Sequence, residues 1–373
     1  MESKHHSYYM QKALDLAQKG LFTTTCNPRV GCVIVSRGHI VGKGYHQRVG
    51  QPHAEVFALN NADDFAEGAT AFVTLEPCSH FGKNPPCADA LIAAKIKKVV
   101  VCNLDPNPLV SGQGIEKLKS AGIKVKMGRF HARGHALNIG FFHRMRTGFP
   151  YVRLKMAQSL DGATAMQNGE SYWITGKKAR ADVHYWRARS QAILTGIETV
   201  LQDDCRLNVR PQELAKKYRK LPHDFHNYQP MRVILDTHLR IPFEAKILQG
   251  HGRKVIMTAS LNFAKIKQLE QNGTEVIPLP TLADKIDLKM ALLWLGKQQI
   301  NELLVETGAT LASSFVQQRL INKLIIYTAP VLMGASTRPL FDLKITAMKD
   351  RIHLNNVRFK KYGKDWRIMA SLP

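Results

Sequence analysis

The sequence predicts two α/β domains in tandem, over residues 1–147 and 148–373. Three observations carry this. Helix-period segments and short apolar runs alternate through the first part of the chain, in the βαβα order of a three-layer domain. A turn-forming corner, Thr147-Gly-Phe-Pro150, then interrupts the pattern. A second alternation of strands and helices follows, and 373 residues suit two domains of ordinary size.

In chain order, Tyr8 to Gly20 spaces Met10, Ala13, Leu14, Leu16 and Ala17 as an amphipathic helix with Gly20 as its C-cap. Gly31 to Val35 reads as a buried strand, Ser36-Arg-Gly38 as a turn, and Ile40 to Tyr45 as the returning strand. A helix is expected from His53 to about Asn61, a strand over Ala71–Leu75, and a helix over Ala88–Ala94. Lys98–Cys102 is the fourth strand; Gly114–Ala121 is helical and leads to the strand Lys124–Lys126. Ala136–Arg146 reads as one last helix before the corner. Beyond it, strands are expected at Tyr151–Met156, Ala192–Thr195, Arg232–Asp236, Lys254–Thr258, Glu275–Ile277, Glu302–Glu306 and Lys323–Ala329. Helices fall between them, as at Lys177–Ala188 and Leu288–Lys297. The polar, aperiodic stretch 211–230 reads as an exposed insertion loop.

Composition narrows the classes. A hydrophobic fraction of 45% with 22% charged residues provides real cores and excludes a mainly disordered chain. No apolar run approaches the ~18 residues of a membrane span, and the N-terminus lacks the apolar core of a signal peptide, so a cytoplasmic protein is expected. Six cysteines, five of them within the first 102 residues, point to metal binding or burial rather than disulfides. The net charge of +24 predicts an anionic partner, either nucleic acid or a small phosphorylated molecule.

The strongest chemical signal is His53-Ala-Glu55 followed by Pro77-Cys78 and Cys87. Zinc-dependent nucleobase deaminases use His-x-Glu with a Pro-Cys and a second Cys. One imidazole and two thiolates supply three zinc ligands and leave the fourth place to water, the pattern of a catalytic site. Zinc brings the pKa of such a water toward ~7. Glu55 is then placed to take the proton and deliver it to the ring nitrogen and the departing ammonia. Eight residues, Ser79 to Pro86, separate the cysteines, where the nucleobase deaminases have two. Cys32 and Cys102 lie in apolar strands and read as core, whereas Cys26 sits in a loop without an evident partner.

These pieces belong to a longer pattern. Asn27-Pro-Arg-Val-Gly-Cys-Val-Ile-Val35, Gly44-Tyr-His-Gln47, His53-Ala-Glu-Val56, Val73-Thr-Leu-Glu-Pro-Cys-Ser-His80 and Asp105-Pro-Asn-Pro108 stand in the first half. Arg146-Thr-Gly-Phe-Pro150, Lys155, Ser159-Leu-Asp-Gly162, Trp173-Ile-Thr175, Thr199-Val-Leu-Gln-Asp-Asp204 and Val305-Glu-Thr-Gly308 stand in the second. Together they resemble the bifunctional riboflavin-biosynthesis deaminase/reductase family over nearly the whole chain, including the long spacing between cysteines. The resemblance implies a cytidine-deaminase-like α/β/α domain followed by a dihydrofolate-reductase-like α/β domain. It implies deamination of 2,5-diamino-6-ribosylamino-4(3H)-pyrimidinone 5′-phosphate to 5-amino-6-(5-phosphoribosylamino)uracil, and then NADPH-dependent reduction of the ribosyl group to a ribityl chain. His53, Cys78 and Cys87 match its zinc ligands and Glu55 its proton shuttle. Asn27, His46, His80 and Lys83 match positions that hold the pyrimidine or its phosphoribosyl group.

No Gly-x-Gly-x-x-Gly occurs, which disfavours a Rossmann cofactor site. Gly308 instead follows a strand and opens a helix whose amides could hold a pyrophosphate. By resemblance, Ala157, Trp173, Thr199, Asp203, Thr237 and the turn Gly308, Ala309, Thr310, Leu311, Ala312, Ser313 and Ser314 match NADPH contacts. Ser171, Arg187, Leu207, Arg210 and Glu306 match substrate contacts, with both arginines suited to clamping the substrate phosphate. Lys155, Asp203 and Glu306 are the candidate polar groups around the carbon that receives hydride. The chain departs from the family at Gly308-Ala-Thr310, where Gly-Pro-Thr is common, and at Cys205, where Pro is usual. The alternative is a tRNA or single-stranded DNA deaminase with an accessory domain, which the positive charge would suit. The resemblance further implies a homo-oligomer, a dimer through the reductase domains, with neither nucleic acid nor membrane as partner.

Overall fold

The computed structural model describes residues 2–81, 85–108, 110–215 and 229–373. The chain divides into two compact units, Met1–Gly148 and Phe149–Pro373. The first unit contains α1 (Glu2–Ala17), β1 (Gly31–Ser36), β2 (His39–Tyr45), α2 (Ala54–Ala62), β3 (Thr70–Val73), α3 (Cys87–Ala93), β4 (Lys98–Val101), α4 (Gln113–Ser120), β5 (Lys124–Met127), α5 (His131–Leu137) and α6 (Ile139–Thr147). Its sheet runs β2-β1-β3-β4-β5. β1 is antiparallel to both neighbours, while β3, β4 and β5 are parallel.

Strand alternation builds three layers. Cys32, Ile34, Ala71, Val73, Val99 and Val101 face Ala54 and Ala58 of α2, Leu91 of α3 and Leu118 of α4. Val33, Val35, Phe72 and Val100 face Met10, Ala13 and Leu14 of α1 on the other side. α2 lies unusually close to β2. A Cβ on Gly42 would come 2.1 Å from the Ala58 carbonyl oxygen, and one on Gly44 2.1 Å from that of Ala54. Only glycine allows this approach, and it seats the start of α2 against the sheet.

The single helix expected over Ala136–Arg146 is broken at Asn138 (φ −112°, ψ 23°). The Asn138 side chain accepts from the Arg29 amide (2.7 Å) and donates to the Arg29 carbonyl (2.9 Å). The buried Arg29 guanidinium donates to the carbonyls of Leu21 and Leu137. This clamp takes the side chain of the break residue and holds the loop that carries Asn27.

The second unit contains β6 (Tyr151–Gln158), β7 (Ala163–Met166), α7 (Lys177–Arg189), β8 (Ala192–Gly196), α8 (Ile197–Asp203), β9 (Met231–Leu235), β10 (Lys254–Thr258), α9 (Phe263–Gln271) and β11 (Glu275–Pro278). The small hairpin β12 (Thr281–Leu282) and β13 (Lys285–Ile286) follows, then α10 (Leu288–Lys297), β14 (Glu302–Glu306), α11 (Ala309–Gln317), β15 (Lys323–Thr328), β16 (Thr337–Pro339), β17 (Asn355–Tyr362) and β18 (Asp365–Ser371). Nine strands form one sheet, β11-β10-β9-β8-β14-β6-β15-β18-β17, parallel from β11 to β15 and closed by two antiparallel strands. Leu154, Leu194, Val233, Val255 and Val305 pack on α10 and α11. Ile193, Ile234, Ile256, Leu304 and Ile325 pack on α7, α8 and α9.

Two features depart from the sequence reading. β17 and β18 lie beyond the last expected strand, where the exposure of β17 on both faces masks the period-two pattern. The ends of the 211–230 stretch are not simply exposed: Leu214 is fully buried, and Gln229 pairs with the backbone of Val209 through both its amide atoms (2.8 and 3.0 Å). Residues 216–228 of that stretch lie outside the described residues. Among the described residues, no helix is long and apolar enough to cross a membrane.

The Gly44→Ala substitution is expected to lower stability by about 1–3 kcal/mol, because the added methyl must displace α2 backbone. Chemical denaturation reads this directly, and an unchanged midpoint would contradict the close seating of α2.

Candidate functional site

In the first unit, three elements bring the candidate metal ligands together. His53 is the N-cap residue of α2, Cys78 follows β3 by a short loop, and Cys87 opens α3. His53 Nδ1 lies 3.2 Å from Cys87 Sγ and 3.5 Å from Cys78 Sγ, and the three donor atoms all lie within 4.8 Å of one another. Zinc–nitrogen bonds of ~2.0–2.1 Å and zinc–sulfur bonds of ~2.3 Å at a tetrahedral angle separate nitrogen from sulfur by about 3.6 Å. The donor set and its spacing therefore fit zinc. The Cys87 amide donates to Cys78 Sγ (3.3 Å). That bond supplements a hydrogen bond from the Cys87 thiol, and with His53 it holds the Cys78 thiol down at about 4. The same thiol–thiol bond and burial push Cys87 up, so one proton is shared unequally between the two sulfurs.

Glu55 lies one residue into α2 and is only 3% exposed. Burial raises its carboxyl to about 7, against the pull of His53. A carboxyl in this range can both accept and return a proton near neutrality. His46 packs edge-on against His53, with centroids 5.3 Å apart. Its Nδ1 lies 3.3 Å from the Pro52 carbonyl and its Nε2 3.0 Å from Asn27 Nδ2. The ring therefore donates through Nδ1 and accepts through Nε2. Burial lowers its pKa and keeps it neutral in that tautomer. Asn27 is thus anchored beside the metal ligands. His80 is exposed on the loop between the cysteines, and Lys83 lies outside the described residues.

The second unit holds a cleft of about 1280 Å³ at the C-terminal ends of its parallel strands, where ligands of open α/β sheets bind. Lys155, Ala157, Ser171, Trp173, Arg187, Thr199, Asp203, Leu207, Arg210, Thr237, Glu306, Gly308, Ala309, Thr310, Leu311 and Ser314 all line it. Ala312 and Ser313 do not. They sit on the inner face of α11, buried against the sheet, and Ser313 Oγ accepts from the Asp342 amide (2.7 Å). Helical periodicity turns those two positions of the expected cofactor turn away from the cleft. Trp173 is 66% exposed with the Arg180 guanidinium 4.5 Å from its ring centroid, so it presents a face to the cleft rather than filling the core.

At the floor, Glu306 accepts from Arg187 Nε (2.6 Å) and Nη2 (3.0 Å), with Lys155 Nζ at 3.5 Å. Burial opposes ionisation of Glu306, yet Arg187 and Lys155 outweigh it and hold the carboxyl at about 2. Burial lowers the Lys155 pKa despite Glu306, and burial raises that of Asp203. Without ligand, Arg187 Nε and Nη2 donate to Glu306 and Nη1 reaches the Asn208 carbonyl (3.3 Å), while the residue lines the cleft. Arg210 pairs with Glu213 (2.5 Å) but remains one-third exposed.

The matches to known proteins follow the same division. Residues 150–368 match the family model of the RibD C-terminal domain, and residues 3–103 match the cytidine and deoxycytidylate deaminase zinc-binding region. The riboflavin biosynthesis protein RibD of Escherichia coli (strain K12) is 48% identical over 339 residues, 90% of each chain. That of Buchnera aphidicola is 42% identical over 98% of each. Acinetobacter baumannii RibD superposes with a TM-score of 0.90 at 45% identity over 99% of each chain. The chain belongs to the RibD family. The deaminase/reductase of Thermotoga maritima, at 30% identity over the whole of both chains, has a TM-score of 0.84. RibD relatives thus span both units, and the nucleic-acid deaminase alternative is not favoured. The fold is the expected one, a cytidine-deaminase-like unit followed by the dihydrofolate-reductase-like unit of RibD.

Sequence reasoning left three buried groups of this RibD chain without a role. Glu76, inside the quoted Thr-Leu-Glu-Pro-Cys run, accepts four backbone hydrogen bonds. Asp105 is buried, and burial raises its carboxyl to about 6. His184 stands one helical turn before Arg187 in the reductase cleft, accepts from the Arg210 amide at Nδ1 (3.3 Å) and faces Glu213 through Nε2 (3.2 Å). Its i, i+3 spacing from Arg187 on α7 was the available signal.

The depressed Glu306 carboxyl makes a pH prediction. Its contribution to stability is complete above its unfolded value, near 4.5, and is lost as the pH falls toward about 2. The stability difference between wild type and Glu306→Gln should therefore shrink over that window. A difference independent of pH would contradict the pairing with Arg187 and Lys155.

Proposed function

We propose that this chain catalyses two consecutive steps of riboflavin biosynthesis: deamination of the diaminopyrimidine ribosylamino phosphate in the first unit, and NADPH-dependent reduction of 5-amino-6-(5-phosphoribosylamino)uracil in the second. The reading rests above all on the His53–Cys78–Cys87 cluster with Glu55 buried beside it, in a chain related to RibD along its length.

His53, Cys78 and Cys87 would hold zinc, which when bound polarises a water and lowers its pKa. Glu55 would take one proton from that water and give it to the ring nitrogen, and would carry the water's second proton to the amino group, which leaves as ammonia. Asn27, held by the neutral His46, presents a side-chain amide to the pyrimidine edge. His80 and Lys83, which fall between the two cysteines in sequence, are the proposed contacts to the phosphoribosyl group.

In the second unit, Gly308 and the first turn of α11 would hold the NADPH pyrophosphate on their unpaired amides, with Ala157, Trp173, Thr199 and Thr237 along the cofactor. When bound there, NADPH would supply the hydride that C1′ of the ribosyl group accepts. Lys155, its pKa lowered by burial, is suited to giving a proton to the opening ring, and Glu306 fixes its position through the 3.5 Å contact. Asp203 and Ser171 flank the same floor. Arg210 exchanges Glu213 for the substrate phosphate. A cytoplasmic homodimer completes the reading, supported by the family resemblance.

The deciding experiment follows NADPH oxidation with the diaminopyrimidine phosphate as sole substrate. Chelation of zinc should abolish it, added zinc should restore it, and the deaminated substrate should be reduced in either state. Oxidation that survives chelation would refute the zinc step. Glu55→Ala should keep its zinc and lose deamination by roughly 10²–10⁴-fold while reduction is unchanged. Normal deamination by that variant removes Glu55 from the mechanism. Arg210→Ala should raise the reductase KM by about ten- to a hundredfold with kcat little changed; an unchanged KM places the phosphate elsewhere.

A further inference from the structure

The deaminase unit contains a second buried carboxylate whose work is mechanical. Glu76 is 3% exposed, and the described partners of its side chain are backbone amides, not cations. Instead Oε2 accepts from the amides of Asp105 (3.2 Å) and Gly112 (3.1 Å), and Oε1 from those of Gly114 (3.1 Å) and Ile115 (3.4 Å). Its own amide donates to the Asn103 carbonyl (2.9 Å). One side chain thus ties both ends of the loop 105–112 and the first turn of α4 to the residue two positions before Cys78. The fit is tight from the other side as well: a Cβ on Gly114 would lie 1.9 Å from the Pro77 carbonyl oxygen. Pro77, which carries Cys78, is therefore wedged between the Glu76 lattice and α4.

We propose that Glu76 is a positioning residue that sets where the Cys78 sulfur stands relative to His53 and Cys87. It does so through the amides it gathers, without touching metal or substrate. The inference rests on the reading of those three residues as the zinc site. A carboxylate is required because both oxygens accept. A glutamine offers one acceptor and turns an NH2 group toward two amide donors, so half of the lattice is broken at nearly constant shape. Partners outside the immediate ligands that orient a metal site typically change metal affinity or activity by about 10–100-fold when mutated.

The test uses the full chain loaded with cobalt(II) in place of zinc, and reads the sulfur-to-cobalt charge-transfer and ligand-field bands together with affinity in a chelator competition. Glu76→Gln should shift or weaken the charge-transfer band and lower metal affinity by about 10–100-fold. NADPH oxidation with deaminated substrate serves as the control and should be unchanged. Gly114→Ala presses on Pro77 without altering the carboxylate and should produce the same spectral change. It also decides the question if Glu76→Gln fails to fold. Wild-type spectra and affinity in whichever of the two variants folds would overturn the proposal and leave Glu76 as a purely structural tie. A wild-type chain that shows no thiolate-to-cobalt band would instead overturn the zinc-site reading on which it rests.

Discussion

The deaminase unit is organised around the approach of two sulfurs and an imidazole to within 4.8 Å in a largely buried place. Such a group is unfavourable unless something resolves its charge: thiolates repel, and burial penalises each of them. Within the protein alone the conflict is resolved by a proton, with Cys78 held down and Cys87 pushed up. Zinc resolves it more completely, by turning both sulfurs into ligands. The surrounding architecture serves this approach. Gly42 and Gly44 let α2 descend onto β2 and carry His53 and Glu55 inward. The Glu76 lattice ties the segment just before Cys78 to the start of α4, and the Arg29–Asn138 clamp holds the loop that brings Asn27 to His46.

The reductase unit shows how position along a strand converts similar ionic chemistry from structure into function. β14 carries a buried carboxylate at each end. At its start, Glu302 is fully buried and paired with Arg153 (2.5 Å) and Arg189 (2.7 Å). At its end, Glu306 is paired with Arg187 and Lys155. The first cluster lies at the N-terminal end of this central strand, and neither Glu302 nor its arginines line the cleft. The second lies at the C-terminal strand ends, where diverging loops leave room for a ligand. Charges that neutralise one another at the first site form, at the second, a polar floor of the cleft, preorganised by its own ion pairs.

Much of this was legible in the residues. His53-Ala-Glu55 with Cys78 and Cys87 names a zinc site because few other chemistries need those donors on those elements. Most strands of both sheets follow from their apolar runs. Other features were hidden for identifiable reasons. The break at Asn138 depends on Arg29, over a hundred residues away, so no local pattern signals it. β17 carries exposed residues on both faces and has no apolar alternation to read. The pairing of Arg187 with Glu306 is invisible until β14 is laid beside α7. Ala312 and Ser313 were carried along with a contiguous turn, although helical geometry alone turns them inward.

Residue type and order alone specify the donor set, the acidic residue beside it, the pairing of a deaminase unit with a reductase unit, and the family to which they belong. Residue type and spacing along the chain decide those things, because a metal or a proton requires particular atoms. Tertiary structure alone decided which charges are available. It paired Arg187 with Glu306, left Arg210 partly exposed, raised Glu55 to about 7 and gathered four distant amides onto Glu76. Burial and the nearest opposite charge set the behaviour of an ionisable group, and both are properties of three-dimensional neighbours rather than of sequence position.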